Sequence, residues 1–404
     1  MLRYWLWLTT RPGLGHRGAF LVASHFASPE LAYYANEAEY AQIAGLKNIV
    51  PLLDKDLTEA ERILRCCYEK GISLLTIQDA AYPVRLKNID DPPVVLYYRG
   101  TLPDLNGPAV SVVGTRECSA YGLLQAQHFG YALSRCGCMV VSGMAKGIDT
   151  MAITGALTGG SPVIGVLGCG VDVVYPASNR GLYQDVTQYG CLLSEYPPGT
   201  SPRPQHFPVR NRIISGLSLG VLVVEAPEKS GALITASRAL DQGRDVFAVP
   251  ANVDVYSCRG NLKLLREGAI VARDAWDVLQ EYAPLYPGQL HHASAISFVQ
   301  EKKMPPEPQP EPEPSQTVII SPPEDLWDPA HFQKPPRKEL SPEMRERFSP
   351  DERVLVQALE PDALHIDELV NQTKLPAGRV LASLTLLEVK GIVRRLPGKR
   401  FALA

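Results

Sequence analysis

Val113-Gly-Thr-Arg-Glu-Cys-Ser119 and Val141-Ser-Gly-Met-Ala-Lys-Gly-Ile-Asp149 each follow an apolar run and each open a stretch with helical periodicity. Glycines at 114, 143 and 147 let a backbone come close to an anion, and a helix N-terminus leaves N–H groups unpaired. Arg116 and Lys146 add positive charge at the same edge. Gly114, Thr115, Arg116, Ser119, Ser142, Gly143, Lys146 and Gly147 are therefore candidate contacts to a polyphosphate or a nucleic-acid backbone. Two positions carry a second meaning. Ser119 equally suits the N-cap of the helix that follows, and the Asp149 carboxylate suits unpaired N–H donors at its own helix start, where it would also hold Lys146.

Outward from these loops, strand-like and helix-like stretches alternate between Ala109 and Glu281. Continuous apolar runs predict buried strands over Ala109–Val113, Cys138–Val141, Pro162–Leu167, Cys191–Leu193, Leu219–Glu225 and Asp245–Val249, with amphipathic helices such as Ala120–Arg135 and Ala232–Gln242 between them. That order predicts an α/β fold, a Rossmann-like, doubly wound, mainly parallel sheet. In such sheets the ligand crevice lies beyond the carboxyl ends of the strands, so the loops after Val113, Val141, Leu167 and Glu225 should converge. The first strand-to-helix turn, Gly114-Thr-Arg116, lacks the Gly-x-Gly-x-x-Gly of dinucleotide enzymes and no Walker loop is present, which argues against NAD and ATP, and no cofactor is expected.

A third segment, Phe207-Pro-Val-Arg-Asn-Arg-Ile-Ile-Ser215, places Phe207, Arg210, Asn211 and Arg212 ahead of an apolar helical stretch. An exposed ring beside cations grips a single strand without sequence preference, because every base has a π-face. The alternative is that Phe207 is core and the arginines brace the loops against Glu195 or Glu225. A fourth loop, Glu225 to Thr235 with Ser230 and Gly231 at its junction, is placed to close the pocket floor. No Ser, His and Asp arrangement suggests catalysis, and His206 reads as a solvent-exposed loop residue.

Composition narrows the partners. The 404 residues carry 40 Lys plus Arg against 43 Asp plus Glu, so there is no global basic field and any nucleic-acid contact is local. The eight cysteines show no Cys-x-x-Cys pair and read as reduced thiols, with no metal site. No run reaches membrane-spanning length, and the cytoplasm and no membrane contact are the expectation.

The flanks differ from the centre. Residues 1–75 read as a helical module of the SAM or helix-hairpin-helix kind, with a Pro12-Gly-Leu-Gly15 turn before a helix over Arg17–Phe26. Residues 76–290 hold the Rossmann-like domain, and 291–350 a proline-rich linker in which Leu326, Trp327 and Phe332 are a docking candidate or chance. Residues 351–404 read as a winged helix, with helices over Asp351–Leu359, Ile366–Val370 and Ala377–Lys390 and a hairpin turning at Pro397-Gly398. Its third helix offers only Arg379 as a base-capable cation between Ala377 and Val389, so major-groove reading is disfavoured. Wing residues Arg394, Arg395, Lys399 and Arg400 suit phosphate contact or protein docking equally.

Taken in order, Tyr82-Pro83, Asp91-Pro-Pro93, Arg99-Gly100, Val113-Gly-Thr-Arg116, Ser142-Gly-Met-Ala-Lys-Gly-Ile-Asp149, Leu167-Gly-Cys-Gly-Val-Asp-Val-Val-Tyr-Pro176, Leu193-Ser-Glu-Tyr-Pro-Pro-Gly-Thr200, Phe207 to Ser215 and Ser230-Gly-Ala-Leu-Ile-Thr235 resemble the DprA/Smf family, from about Tyr82 to Ala269. The resemblance implies a protein of natural transformation that binds and protects single-stranded DNA, helps load the RecA recombinase onto it, forms a homodimer and turns nothing over. It also implies that Arg116 and Lys146 contact DNA phosphates, with Gly114, Gly143 and Gly147 allowing close approach. The competing class is a Rossmann-like nucleotide phosphoribohydrolase using Asp149, Glu195 or Glu225 as its acid. Three features depart from the family pattern: Ile153 stands where a histidine is usual, Ala251 where a glycine is usual, and the linker is long.

Overall fold

The middle of Leu2–Thr10 (α1) is apolar all round, and in the computed structural model Tyr4, Trp5, Leu6, Trp7 and Leu8 are all buried. Five successive apolar residues cover more than a full helical turn, so this stretch must sit inside the protein. Around it lie α2 (Gly15–His25), α3 (Pro29–Tyr34), α4 (Glu37–Ala41), α5 (Val50–Leu53) and α6 (Thr58–Glu69). Trp7 Nε1 donates to the Asp54 carbonyl at 2.8 Å, and Arg11 reaches the Asp54 carboxylate at 2.7 Å. The structure describes residues 1–292, 348–359, 364–390, 392–396 and 400–403, divided between two compact units.

The sheet of the first unit begins with β1 (Ser73–Thr76), α7 (Val84–Lys87), β2 (Val95–Gly100), β3 (Ala109–Val113), α8 (Ala120–Arg135) and β4 (Met139–Ser142). It continues through α9 (Ile148–Gly159), β5 (Val163–Leu167), α10 (Arg180–Tyr189), β6 (Gly190–Ser194), α11 (His206–Gly216) and β7 (Gly220–Val223). The last elements are α12 (Gly231–Asp241), β8 (Asp245–Ala248), α13 (Arg259–Arg266), β9 (Ile270–Val271) and α14 (Ala275–Leu279). Strand order is β1-β2-β6-β5-β4-β3-β7-β8-β9, parallel from β6 to β9, with β1 and β2 antiparallel at one edge. Every residue of β3 to β7 is buried, as continuous apolar runs require when helices cover both faces. The chain leaves β3 toward β4 on one side and returns through β7 on the other. The switch point of this doubly wound sheet therefore lies at the carboxyl ends of β3 and β7.

Strands β1, β2 and β9 were not anticipated from the pattern. The edge pair β1 and β2 reads Ser-Leu-Leu-Thr and Val-Leu-Tyr-Tyr-Arg-Gly, too short or too mixed to be told from loop or helix by periodicity. Buried apolar contacts run from Trp5 through the sheet to Tyr282, so the N-terminal helices and the sheet share one core. Helices α8 and α9 pack almost backbone to backbone, because a Cβ at Gly130 would collide with the Ala152 carbonyl and one at Gly155 with the Gln127 carbonyl. Ile153 lies on α9 with no exposure at all, a packing position. Ala251 does not take positive φ, so the glycine replaced there is not missed by the backbone.

The second unit comprises α15 (Pro350–Leu359), β10 (Leu364–His365), α16 (Ile366–Thr373), α17 (Ala377–Val389), β11 (Val393–Leu396) and β12 (Arg400–Leu403). Its strands order β10-β12-β11, and three helices with this small sheet make a winged helix around Leu355, Leu369, Val380, Leu384 and Phe401. Arg379 is held bidentate by Asp351 at 2.8 Å. The cation that the third helix offered thus already has a partner within the unit. The linker residues Leu326, Trp327 and Phe332, and the turn at Pro397, Gly398 and Lys399, lie outside the described residues.

Trp7→Ala removes one of the two buried tryptophans of the shared core, and is expected to cost about 3–5 kcal/mol of stability. Urea denaturation of the variant and the parent chain, followed by circular dichroism, measures it.

Candidate functional site

The loop leaving β3 is held from beneath. Thr115 N–H donates to the Glu225 carbonyl at 2.7 Å, and the Thr115 carbonyl accepts from Ile148 N–H at 3.3 Å. A Cβ at Gly114 would lie 2.8 Å from that Glu225 oxygen, and one at Gly147 would lie 2.6 Å from the Thr115 oxygen, so glycine at both sites permits the close approach of the loops. Gly147 also takes φ +79°. Arg116 and Glu117 project from this support and are exposed.

Ser119 caps α8: its Oγ accepts from Gly122 N–H at 3.0 Å and donates to Glu225 Oε2 at 2.8 Å, while Ser119 N–H also meets the Glu225 carboxylate at 3.1 Å. Of its two readings the cap is the one the structure realises.

The second loop is shaped by Asp149, whose Oδ2 accepts from Gly143 N–H at 3.0 Å and Ala145 N–H at 3.3 Å. Burial pushes the Asp149 carboxyl up, and Arg210 and these backbone donors oppose the shift. Met144 between them is fully buried at φ +57°, a conformation that costs a non-glycine residue energy and persists where the surroundings impose it. Asn179 supplies part of that force, donating to the Met144 carbonyl at 3.0 Å and to Thr150 Oγ1 at 2.9 Å. Lys146 emerges exposed. Ser142 was read as a contact, but its hydroxyl is fully buried and donates to the Val112 carbonyl at 2.7 Å. It is the last residue of β4, a strand buried on both faces.

Helix α11 sorts its own residues by periodicity. Phe207, Arg210, Asn211 and Ile214 share one face at helical spacing and line the groove. Arg212 sits roughly 200° around the axis from Arg210 and faces the opposite way. It is bound by Glu195 at 2.8 and 2.9 Å and lies 3.0 Å from Asp91. As a groove contact Arg212 is thus corrected to a brace against Glu195, while Arg210 and Asn211 stay on the groove side. Burial pushes the Glu195 carboxyl up, but Arg212 and His16 more than offset it and hold it below the usual range.

Arg210 is buried, its Nε has no hydrogen-bond partner, and a Cβ at Gly143 would collide with its guanidinium. Burial pulls the Arg210 pKa down and Asp149 opposes this. The Phe207 ring is half-buried, with the Arg116 guanidinium 5.3 Å and that of Arg210 5.9 Å from its centroid, and Tyr175 packed at 5.5 Å. It is neither plain core nor a free face. Asn211 Nδ2 donates to the Gly231 carbonyl at 3.3 Å, joining α11 to the fourth loop. His206 is also only half-exposed, stacked on Tyr196 at 4.1 Å with Nδ1 3.0 Å from the Gly168 carbonyl.

The groove consists of two adjoining cavities of about 570 and 390 Å³ that share Arg116, Glu117, Ala145, Tyr175, Phe207 and Arg210. The fourth loop lines it with Lys229, Ser230 and Gly231, as its position after β7 predicts. Arg116, Lys146, Arg210 and Lys229 face Glu117 and Asp149 there, so the local balance is positive although that of the chain is not. Of the acids that hydrolysis of a nucleotide would employ, Asp149 and Glu225 are buried, the Glu195 side chain is only 7% exposed, and all three are hydrogen-bonded within the protein. Tyr175, Asn179 and Lys229 were missed by the sequence reading. An aromatic residue closing the loop after β5 and a lysine in a strand-to-helix loop were the available signals for two of them.

Comparison with known proteins agrees with this architecture. The family model described as DNA recombination-mediator protein A matches residues 73–283, and one described as DprA winged helix domain matches 333–399. Protein Smf of Synechocystis sp. is 34% identical over 410 residues, covering 98% of each chain. DNA processing protein DprA of Bacillus subtilis is 41% identical over 239 residues, covering 59% of this chain and 80% of that one. The X-ray structure of DNA processing protein A from Streptococcus pneumoniae superposes with a TM-score of 0.63 at 35% identity, over 70% of this chain and 98% of that one.

Arg212→Ala strands the buried Glu195 carboxylate and is expected to cost about 3–5 kcal/mol. The depressed Glu195 pKa implies stability that is present above the ordinary carboxylate value and lost as pH falls through the lower folded value. Glu195→Gln should therefore flatten the acid limb of the stability profile, read by urea titrations from neutral pH down to about pH 3.

Proposed function

Because the chain belongs to the DNA recombination-mediator protein A family, we propose that its cationic groove binds single-stranded DNA during natural transformation and that the bound strand is passed to the RecA recombinase. The observation that carries this reading is the Phe207 ring packed against the guanidinium groups of Arg116 and Arg210 at the switch point of the sheet. Cations take phosphates regardless of sequence and a ring accepts any base, which is the chemistry of sequence-tolerant single-strand binding. Arg116 and Lys146 are exposed at the ends of glycine-bearing loops and serve as the outer phosphate contacts. Arg210 is the inner one, Gly114 and Gly143 line the groove beside it, and Gly147 keeps the first two loops in contact. Thr115 and Asn211 complete the contact set from the first loop and from α11.

The protein acts in this reading by binding and protection, in the cytoplasm and as a homodimer. Engagement of Asp149, Glu195 and Glu225 with protein donors supports binding over hydrolysis. No described helix is long and apolar enough to cross a membrane.

Fluorescence anisotropy with labelled oligothymidylate tests the assignment. Tight binding should weaken with salt, log K falling by about 0.7 per log unit of salt for each phosphate neutralised. Arg116→Glu with Lys146→Glu should abolish binding and leave the circular dichroism spectrum unchanged; undiminished binding refutes the site. Incubation with a nucleotide panel should release no free base, and release of base would favour the phosphoribohydrolase reading instead.

A further inference from the structure

The N-terminal helices reach the sheet through two polar side-chain contacts, one on the loop that carries Tyr175 and one on a carboxylate that grips α11. His16, in the first turn of α2, places Nδ1 2.9 Å from Glu195 Oε1. Glu195 in turn grips Arg212 of α11, the helix whose opposite face presents Phe207 and Arg210. A second route runs beside it. The His16 ring meets Tyr196 edge-on at 6.1 Å, and Tyr196 stacks on His206, the first residue of α11.

Lys70, at the end of α6, reaches Asp172 at 2.5 Å. Asp172 also accepts from Gly199 N–H at 2.8 Å, so one carboxylate ties α6 to the loop after β5 and to the loop after β6. Tyr175, which packs on Phe207, lies three residues beyond Asp172 in that loop. Neither His16 nor Lys70 lines the groove.

We infer that the N-terminal helical module is the frame that holds Tyr175 and Phe207 in register, with His16 and Lys70 as positioning residues for strand binding. The inference rests on the single-strand reading of the groove for its functional consequence. The mechanical coupling stands on the contacts alone. Residues that act through one another in a shared network couple far more strongly than distant ones, and here the network spans α2, α6, two loops and α11. The module contributes no phosphate contact in this account. Losing these two contacts would loosen the ring pair without removing any groove cation.

The test uses the full chain with His16→Ala and Lys70→Met combined, and Lys70→Met alone as a milder variant. Both side chains are partly exposed, 39% and 46%, so the core is left intact. Hydrogen exchange should rise in residues 168–176 and 206–216 of the double variant, and oligothymidylate affinity should fall about tenfold with the salt slope unchanged. Lys70→Arg alone should leave both readouts at those of the parent. Unchanged exchange in both segments overturns the inference. So does a salt slope that drops by about 0.7 per cation removed, which would make His16 and Lys70 direct phosphate contacts. A parent chain that fails to bind oligothymidylate, with exchange still rising in the double variant, would remove the single-strand reading and leave the frame standing.

Discussion

A carboxylate taken out of water must find donors, and at the mouth of this sheet three of them do. Glu225 ties the end of β7 to the cap of α8, Asp149 folds the loop after β4 around its own oxygen, and Glu195 locks Arg212 on the hidden side of α11. Each buried acid consumes the polar groups nearest to it. The basic residues without such partners, Arg116 and Lys146 among them, are left facing solvent along one groove. The positive character of the site thus follows from where the negative charges are buried, in a chain whose overall charge is slightly negative.

That arrangement needs the loops to stay where they are, and close packing behind them supplies the rigidity. Helices α8 and α9 meet through Gly130 and Gly155 with no room for a Cβ, and α9 starts at Gly147 directly against the first loop. Ile153 sits wholly inside this layer. Its aliphatic side chain suits an enclosed site where an imidazole would need a hydrogen-bond partner. The left-handed Met144 is tolerated for the same reason: Asp149 holds the residues on either side of it and Asn179 holds its own carbonyl.

Within the chain, periodicity carried information that residue type did not. Phe207, Arg210, Asn211 and Arg212 look equivalent as a basic, aromatic cluster. Positions 207, 210, 211 and 214 share a helical face, and position 212 does not. Applied to the same letters, that rule separates the groove arginine from the brace. Ser142 could have been sorted by its place inside an apolar run, since a strand covered on both faces buries every side chain it carries. Ser119 could not, because a cap and a ligand contact use the same hydroxyl at the same place. Only the distance to Glu225, a hundred residues later, separates them.

The sequence by itself determined the doubly wound sheet, the order of its loops and the winged helix, because those depend on local apolar periodicity and on glycines that neighbouring residues demand. It determined the groove's edge as well, since the loops after parallel strands must emerge together. The tertiary structure alone decided which charges remain available. Pairing of Glu195 with Arg212 and His16, of Asp172 with Lys70 and of Glu225 with Ser119 joins residues far apart in the chain. A buried charge is settled by whatever folds against it, and that partner is written nowhere in its local sequence.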